Sequence, residues 1–423
     1  MTTSERLADL AARGYQWQNW GENQKVSPNY FAQPSTQDEL ITLIRAAIAE
    51  GEPIRVAGTG HSSSPLVHTG GLLVSLQHLQ GIVGTDVERR RVRLLAGTQI
   101  FNIGDPLWEA GLALSNQGDI DKQSMAGAVA TGTHGSGSTL TSFSGAVRWM
   151  KLLTGTGDII EIGEDQPELL RAAQVSLGSL GVVLELELAV SPRYHLKEAN
   201  SSPHIDELIE PGAWAANPDA WRHFSFLWCP TAGGAAMFEL PAPAGLDMTE
   251  RAYTKRYVEA SGITEPDGLS DASGHRIDRS YRIYPEGFGI IFNEMEHFVP
   301  VEQGREAFLA LRELITTKYP HEEYPVEVRW VAQDDAYLSQ QYQRSNCVIT
   351  TTVTPGTDYW RYLRDVDDVL QQFDARMHWG KMHLTTRERM ERMYPELDRF
   401  IDIRRQLDPC GLFLNDHLRP LLT

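Results

Sequence analysis

The sequence predicts an α+β fold in two domains that divide near Pro192, residues 1–192 and 193–423. Three observations carry this. The chain has 423 residues, more than a single hydrophobic core usually serves. Its first half alternates short apolar strands with amphipathic helices. Two loops rich in glycine and hydroxyl groups, Gly58-Thr59-Gly60-His61-Ser62 and Ala130-Thr131-Gly132-Thr133-His134-Gly135-Ser136-Gly137, each follow an apolar or small-residue run.

In chain order, Tyr15 to Tyr30 is rich in aromatics and Asn and reads as an irregular opening segment. Thr36-Gln37-Asp38-Glu39 has the form of a capping box. Behind it Leu40, Leu43, Ile44, Ala47 and Ile48 recur at helical spacing, and Gly51 closes the helix. Strands are expected at Ile54–Ala57, Leu72–Leu76 and Arg91–Leu95, a helix over Phe101–Gly111, and a further strand at Leu112–Leu114. Val147–Thr154 and Ile159–Ile162 form a hairpin over Gly155-Thr156-Gly157-Asp158. Leu184-Glu185-Leu186-Glu187-Leu188 alternates strictly, as a half-exposed strand does. Beyond Pro192, Trp214, Trp221, Phe224, Phe226 and Trp228 indicate core and strand, with loops at Thr231–Gly234 and Pro241–Gly245. Phe292–Pro300 reads as a strand, Glu306–Lys318 as a helix and Pro325–Trp330 as a strand.

A strand emptying into Gly58-Thr59-Gly60 lets backbone N–H groups approach a ligand, while Thr59, Ser62 and Ser63 add short donors. Such a turn suits a phosphate or pyrophosphate. It is neither a Walker loop, lacking Gly-Lys-Ser/Thr, nor a GxGxxG fingerprint.

Composition narrows the partners. The formal charge of −18 argues against nucleic acid or an anionic membrane, both of which call for a basic footprint. No apolar run approaches the ~20 residues needed to span a bilayer. Met1–Tyr15 mixes Glu5, Arg6, Asp9 and Arg13 and so lacks the apolar core of a signal peptide. Cys229, Cys347 and Cys410 stand singly, which suggests neither disulfides nor a metal site and fits a cytoplasmic setting.

With Ser124-Met125-Ala126-Gly127-Ala128-Val129 leading into the second loop, these motifs resemble the FAD-binding (PCMH-type) domain of the vanillyl-alcohol-oxidase-type flavoproteins. The resemblance implies a two-domain flavoprotein with an N-terminal FAD-binding domain and a substrate, or cap, domain. Gly58, Thr59, Gly60, Ser62 and Ser63 would wrap the FAD pyrophosphate, answered by Ser124, Gly127, Thr131, Gly132, Thr133 and His134. His61 occupies the position that often carries the flavin covalently through its 8α-methyl group. Gly181 and Val183 would lie at the adenine end, and Gly118 and Asp119 along the flavin ring. Gly118 falls where a side chain gates oxygen, so that O₂ is an expected acceptor. Leu407–Asn415 is similar to the closing segment of the family, which implies that residues 400–423 return to the FAD domain.

On a strand, Glu327 and Arg329 project from one face. Together with Met377-His378-Trp379-Gly380-Lys381 they resemble the substrate cavities of the sugar-1,4-lactone oxidases and alditol oxidases. By that resemblance Glu327 and Arg329 meet substrate hydroxyls, Arg329 and Lys381 stabilise the oxygen being oxidised, and His378 orients its neighbours beside the flavin. Fixed cations suit this chemistry because negative charge grows on the substrate oxygen as hydride leaves. Asp334-Asp335, Gln343-Arg344-Ser345 and Asp358-Tyr359-Trp360 are similar to aldonolactone oxidases (the gulono-, galactono- and arabinono-lactone type). Thr352 keeps a substrate-contacting threonine of the alditol oxidases, whereas Thr350 replaces their histidine and Asp119 their serine. The expectation is therefore a lactone oxidase, with a polyol (xylitol or sorbitol) oxidase as the alternative.

Overall fold

Thr36 Oγ1 accepts from Glu39 N at 3.2 Å and starts the helix Gln37–Glu50, and Gly51 ends it in the left-handed region at φ 71°. The capping box is altered in one detail: Glu39 Oε2 accepts from Ser35 N at 2.8 Å rather than from Thr36 N. Thr36→Ala is expected to cost about 1 kcal/mol of stability, the usual worth of an N-cap, read as a shift of the urea midpoint.

The computed structural model describes residues 6–241, 243, 245–285 and 289–423. Ala242 and Ala244 of the expected Pro241–Gly245 loop, and Met1–Glu5 of the N-terminal segment, lie outside these residues. Among the described residues no helix is long and apolar enough to cross a membrane.

A three-stranded parallel sheet, with Leu72–Ser75 between Tyr30–Ala32 and Ile54–Ala57, packs its apolar face on the first helix. A five-stranded antiparallel sheet runs 159–163, 147–153, 182–189, 91–95, 82–86. The strand Ile82–Asp86 has no sequence signature because it is an exposed edge, with Val83 to Asp86 open to solvent. The helix expected over 101–111 is shorter, Gly104–Glu109, preceded by a 3-10 turn at Ile100–Asn102. Ser124–Gly132 corrects the reading of the second motif as loop throughout: Met125–Thr131 is a helix, and Gly132 at φ 75° ends it. The opening segment also carries order, a two-residue hairpin pairing Trp17 with Val26 and Gln18 with Lys25.

The second half builds an eight-stranded sheet in the order 277–279, 195–198, 251–260, 223–229, 326–331, 346–353, 293–300, 376–377. One face is apolar: Phe224, Phe226, Trp228, Val326, Val328 and Trp330 pack under the helices Gly304–Lys318 and Trp360–Leu370. The aromatic stripe is thus core. The opposite face is covered by the first half of the chain, which is why the central strands are buried on both sides. The C-terminal segment packs on the first half: Ile54 N donates to Leu412 O at 2.8 Å, Asn415 Nδ2 donates to Pro65 O at 2.9 Å, and Phe413 joins the core of the first helix.

Candidate active site

Three adjoining cavities run from between the two smaller sheets to the covered face of the large one. The first, about 950 Å³, is lined by Gly58, Thr59, Gly60, His61, Ser62, Ser124, Gly127, Thr131, Gly181 and Val183. A bridging cavity of about 430 Å³ adds Ser63 and Gly380 and shares His61 and Ser62 with it. The third, about 640 Å³, is lined by Gly118, Asp119, Thr133, His134, Glu327, Arg329, Thr352, His378 and Lys381. Gly132 and Thr350 do not line these three cavities. Gly132 backs onto Gln340, and the Thr350 hydroxyl is buried without a hydrogen-bond partner.

The two glycine motifs face each other across the first cavity: a Cβ added at Gly58 would lie 1.9 Å from Ser124 Oγ. Gly181, at φ +144°, brings backbone against backbone, since a Cβ there would sit 2.4 Å from Leu153 O. The His61 loop is fastened from both sides. Trp20 N donates to Gly60 O at 2.8 Å and Gln24 Nε2 to Ser63 O at 2.7 Å. Ser63 N donates to Gly380 O at 2.7 Å and Ser64 Oγ to Trp379 O at 2.6 Å. Burial, and then the charge of Lys381, lower the His61 imidazole to about 4, so the ring is neutral, and its Nδ1 is buried without a partner. A channel walled by backbone, with an orphaned neutral imidazole on its lining, fits FAD.

The third cavity stands on the sheet. Glu327 pairs in register with Thr350, and Thr350 with Glu296; Glu294 pairs with Thr352. Directly opposed residues share a face, so Glu294, Glu296, Glu327, Arg329, Thr350 and Thr352 all project to the covered side. Leu227, Phe238 and Phe292 supply an apolar wall. The Arg329 guanidinium pairs with Glu327, and its Nη1 lies 3.5 Å from Asp119 Oδ2. Lys381 Nζ pairs with Glu294 and lies 3.6 Å from Glu296 Oε2. His134 Nε2 meets Glu296 Oε1 at 2.6 Å.

These contacts set the charges. Burial pushes the Glu327 carboxyl up from its ordinary range, against the pull of Arg329. Burial pushes Glu296 up as well, but His134, His378 and Arg329 outweigh it and hold the carboxyl at about 2. Burial lowers the Lys381 amine to about 8 while Asp119 opposes the shift. Burial lowers His378 to about 4, and its Nδ1 accepts from Gly380 N at 3.0 Å, which fixes the turn that carries Lys381. At neutral pH two cations, Arg329 and Lys381, therefore border a cavity rich in hydrogen-bond acceptors.

Sequence reasoning missed Glu294, Glu296, Lys255 and Gln123. The alternation Glu294-Met295-Glu296 inside a strand was a usable signal, because two carboxylates on one strand face need cations opposite. Gln123, which lines all three cavities, had none.

Residues 28–163 match the FAD-binding domain family, and residues 243–421 match the D-arabinono-1,4-lactone oxidase family. Over 96% of this chain and 99% of the relative, it is 30% identical to the L-gulono-1,4-lactone dehydrogenase of Mycobacterium tuberculosis. The chain belongs to the FAD-dependent aldonolactone oxidases and dehydrogenases. Another member of that family, the L-gulonolactone oxidase of Mus musculus, is 27% identical over 96% of this chain and 98% of its own. The fold also resembles that of cholesterol oxidase from B. sterolicum, with a TM-score of 0.82 at 14% identity, covering 96% of each chain.

Proposed function

We propose that the protein oxidises an aldono-1,4-lactone of the gulono-, galactono- or arabinono- type at the hydroxyl-bearing carbon next to the carbonyl. The observation that carries this is the covered sheet face, where Glu327, Arg329 and Lys381 meet at the end of the cofactor channel. FAD, held by residues of 1–192, supplies the hydride acceptor when bound. Glu327 accepts from substrate hydroxyls, Arg329 and Lys381 stabilise the charge growing on the substrate oxygen, and Leu227, Phe238 and Phe292 take the apolar ring face while excluding water. Thr352 adds a hydroxyl on the floor.

An anaerobic screen tests the assignment, using bleaching of the flavin by gulono-, galactono- and arabinono-1,4-lactone beside xylitol and sorbitol. A lactone should win by about tenfold or more in kcat/KM; a comparable preference for a polyol would establish the alditol-oxidase reading instead.

Two finer features belong to the same reading. His61 carries the flavin covalently, as its neutral, unpartnered nitrogen and its stitched loop favour. Yellow colour should stay with acid-precipitated protein, and colour left wholly in the supernatant would rule the tether out. O₂ is the acceptor and hydrogen peroxide the product, in a cytoplasmic enzyme. A Cβ at Gly118 would meet His134 O at 3.4 Å and Thr133 Cγ2 at 3.8 Å, ordinary contacts that let alanine in without moving the backbone. Gly118→Ala should accordingly slow reoxidation in air severalfold and leave reduction by lactone nearly unchanged. Identical reoxidation traces for the two proteins would remove the gate.

A further inference from the structure

Lys255 stands among the most buried cations of the chain, its side chain only 3% exposed, on the strand Arg251–Ala260. It pairs in register with Ser225, and Ser225 with Arg329, so Lys255 and Arg329 lie in one cross-strand row on the covered face. It does not line the substrate cavity. Its Nζ pairs with Asp119 Oδ1 and lies 5.3 Å from the centroid of the Tyr284 ring, whose hydroxyl is 3.0 Å from both Ser136 N and Ser136 Oγ. The other oxygen of Asp119 is the one 3.5 Å from Arg329 Nη1. One buried carboxylate is thus divided between two cations, one at the site and one behind it.

We propose that Lys255 is a positioning residue for the oxidation: by occupying Asp119 Oδ1 it leaves Arg329 a single oxygen of that carboxylate and keeps the guanidinium open to substrate. A guanidinium facing a bare carboxylate closes on it in two parallel bonds, and Asp119 would then compete with Glu327 for Arg329. Without Lys255, Asp119 draws Arg329 into such a pair, and the charge that should meet the substrate oxygen is spent on Asp119. Lys255 therefore acts through Asp119, not by touching the reacting atoms. The inference rests on the role given to Arg329 above.

The test uses the flavin-loaded enzyme and two readouts: kcat and KM on the preferred lactone, and the dissociation constant of sulfite, an oxyanion that bleaches bound flavin and senses positive charge in the cavity. Lys255→Met should lower kcat with little change in KM and weaken sulfite binding, each on the order of tenfold, within the usual range for coupling between charged neighbours. Adding Asp119→Asn to Lys255→Met should recover a large part of both losses, because the carboxylate that captures Arg329 is gone. A merely structural lysine predicts the opposite, a double variant no better than the single one, and that result overturns the proposal. Should Lys255→Met fail to fold, Lys255→Ala, which also leaves Asp119 Oδ1 without its donor, must show the same losses; wild-type values for it also overturn the proposal. Arg329→Ala separates the two levels. If it slows turnover while the Lys255 variants do not, only the positioning role fails. If it leaves turnover and sulfite affinity untouched, the reading of Arg329 fails first.

Discussion

Replacing Arg329 or Lys381 with alanine is expected to slow reduction of the bound flavin by about 10²-fold or more, the scale of one preorganised charge lost at a developing anion. Arg329 is held by Glu327 and Asp119, and Lys381 by Glu294 and Glu296, so neither cation must reorganise when the substrate oxygen gains charge. The pH dependence follows with a definite sign. Lys381, lowered to about 8 by burial, is cationic below that pH and neutral above it. If its charge is what matters, kcat/KM falls as pH rises through about 8, and the fall is missing in Lys381→Ala; a rise over the same range would make Lys381 a base. Glu327, raised by burial, loses its acceptor charge on acidification above the ordinary carboxylate range. Glu327→Gln should flatten that acid limb and act mainly on KM, since the hydroxyls it holds are present before and during the reaction. Stopped-flow reduction rates unchanged in both cation variants would show that the two side chains serve only the fold.

Arg55→Met is the second change with a large expected effect. The Arg55 guanidinium sits inside the protein and donates to Leu66 O at 2.6 Å, Leu177 O at 2.7 Å, Gly178 O at 3.1 Å and Phe413 O at 2.5 Å. It joins the His61 side of the channel, the Leu177-Gly178 turn and the C-terminal segment through one side chain. Burial lowers it to about 10, against the pull of Asp408, so it remains charged at neutral pH. Methionine would fill much of the volume but leave four carbonyls without their donor, a loss of about 3–5 kcal/mol on the scale of a broken buried polar network. Leu177 and Gly178 line the cofactor channel, so the purified variant should also carry less flavin per protein. A urea midpoint within error of wild type would show that the four bonds contribute nothing net.

The first half was legible because its motifs are local. Glycine spacing, the Thr36 cap and the hairpin over residues 155–158 are each fixed by residues within a few positions. The pairing of the His-Trp-Gly-Lys turn with the Glu-x-Arg strand came from resemblance; what the sequence could not tell is that Glu294, Glu296 and Lys255 join them. Those residues lie on strands with a second, covered face that carries charged side chains beside the apolar one, so burial no longer follows hydrophobicity and the strand 251–260 reads as nothing in particular. Asp119 illustrates the same limit: its two cations come from positions 255 and 329, far along the chain. The edge strand 82–86 was missed for the converse reason, since it buries almost nothing that could write a pattern.

A site whose floor is a sheet also constrains how it can change by descent. Side chains reach the same face only at every second residue, so inserting or deleting one residue within Val326–Val331 would turn Glu327 and Arg329 into the aromatic core and lift Val328 or Trp330 towards the substrate. The same holds for Asn346–Val353 and Asn293–Pro300, which supply the threonines and the remaining glutamates. Length variation is therefore excluded from the floor and confined to the rim, where Phe238 and Phe292 lie outside these strands. Lineages with this architecture are expected to diverge in substrate by exchanging side chains at fixed addresses on the floor, and by lengthening or trimming the segments that roof it.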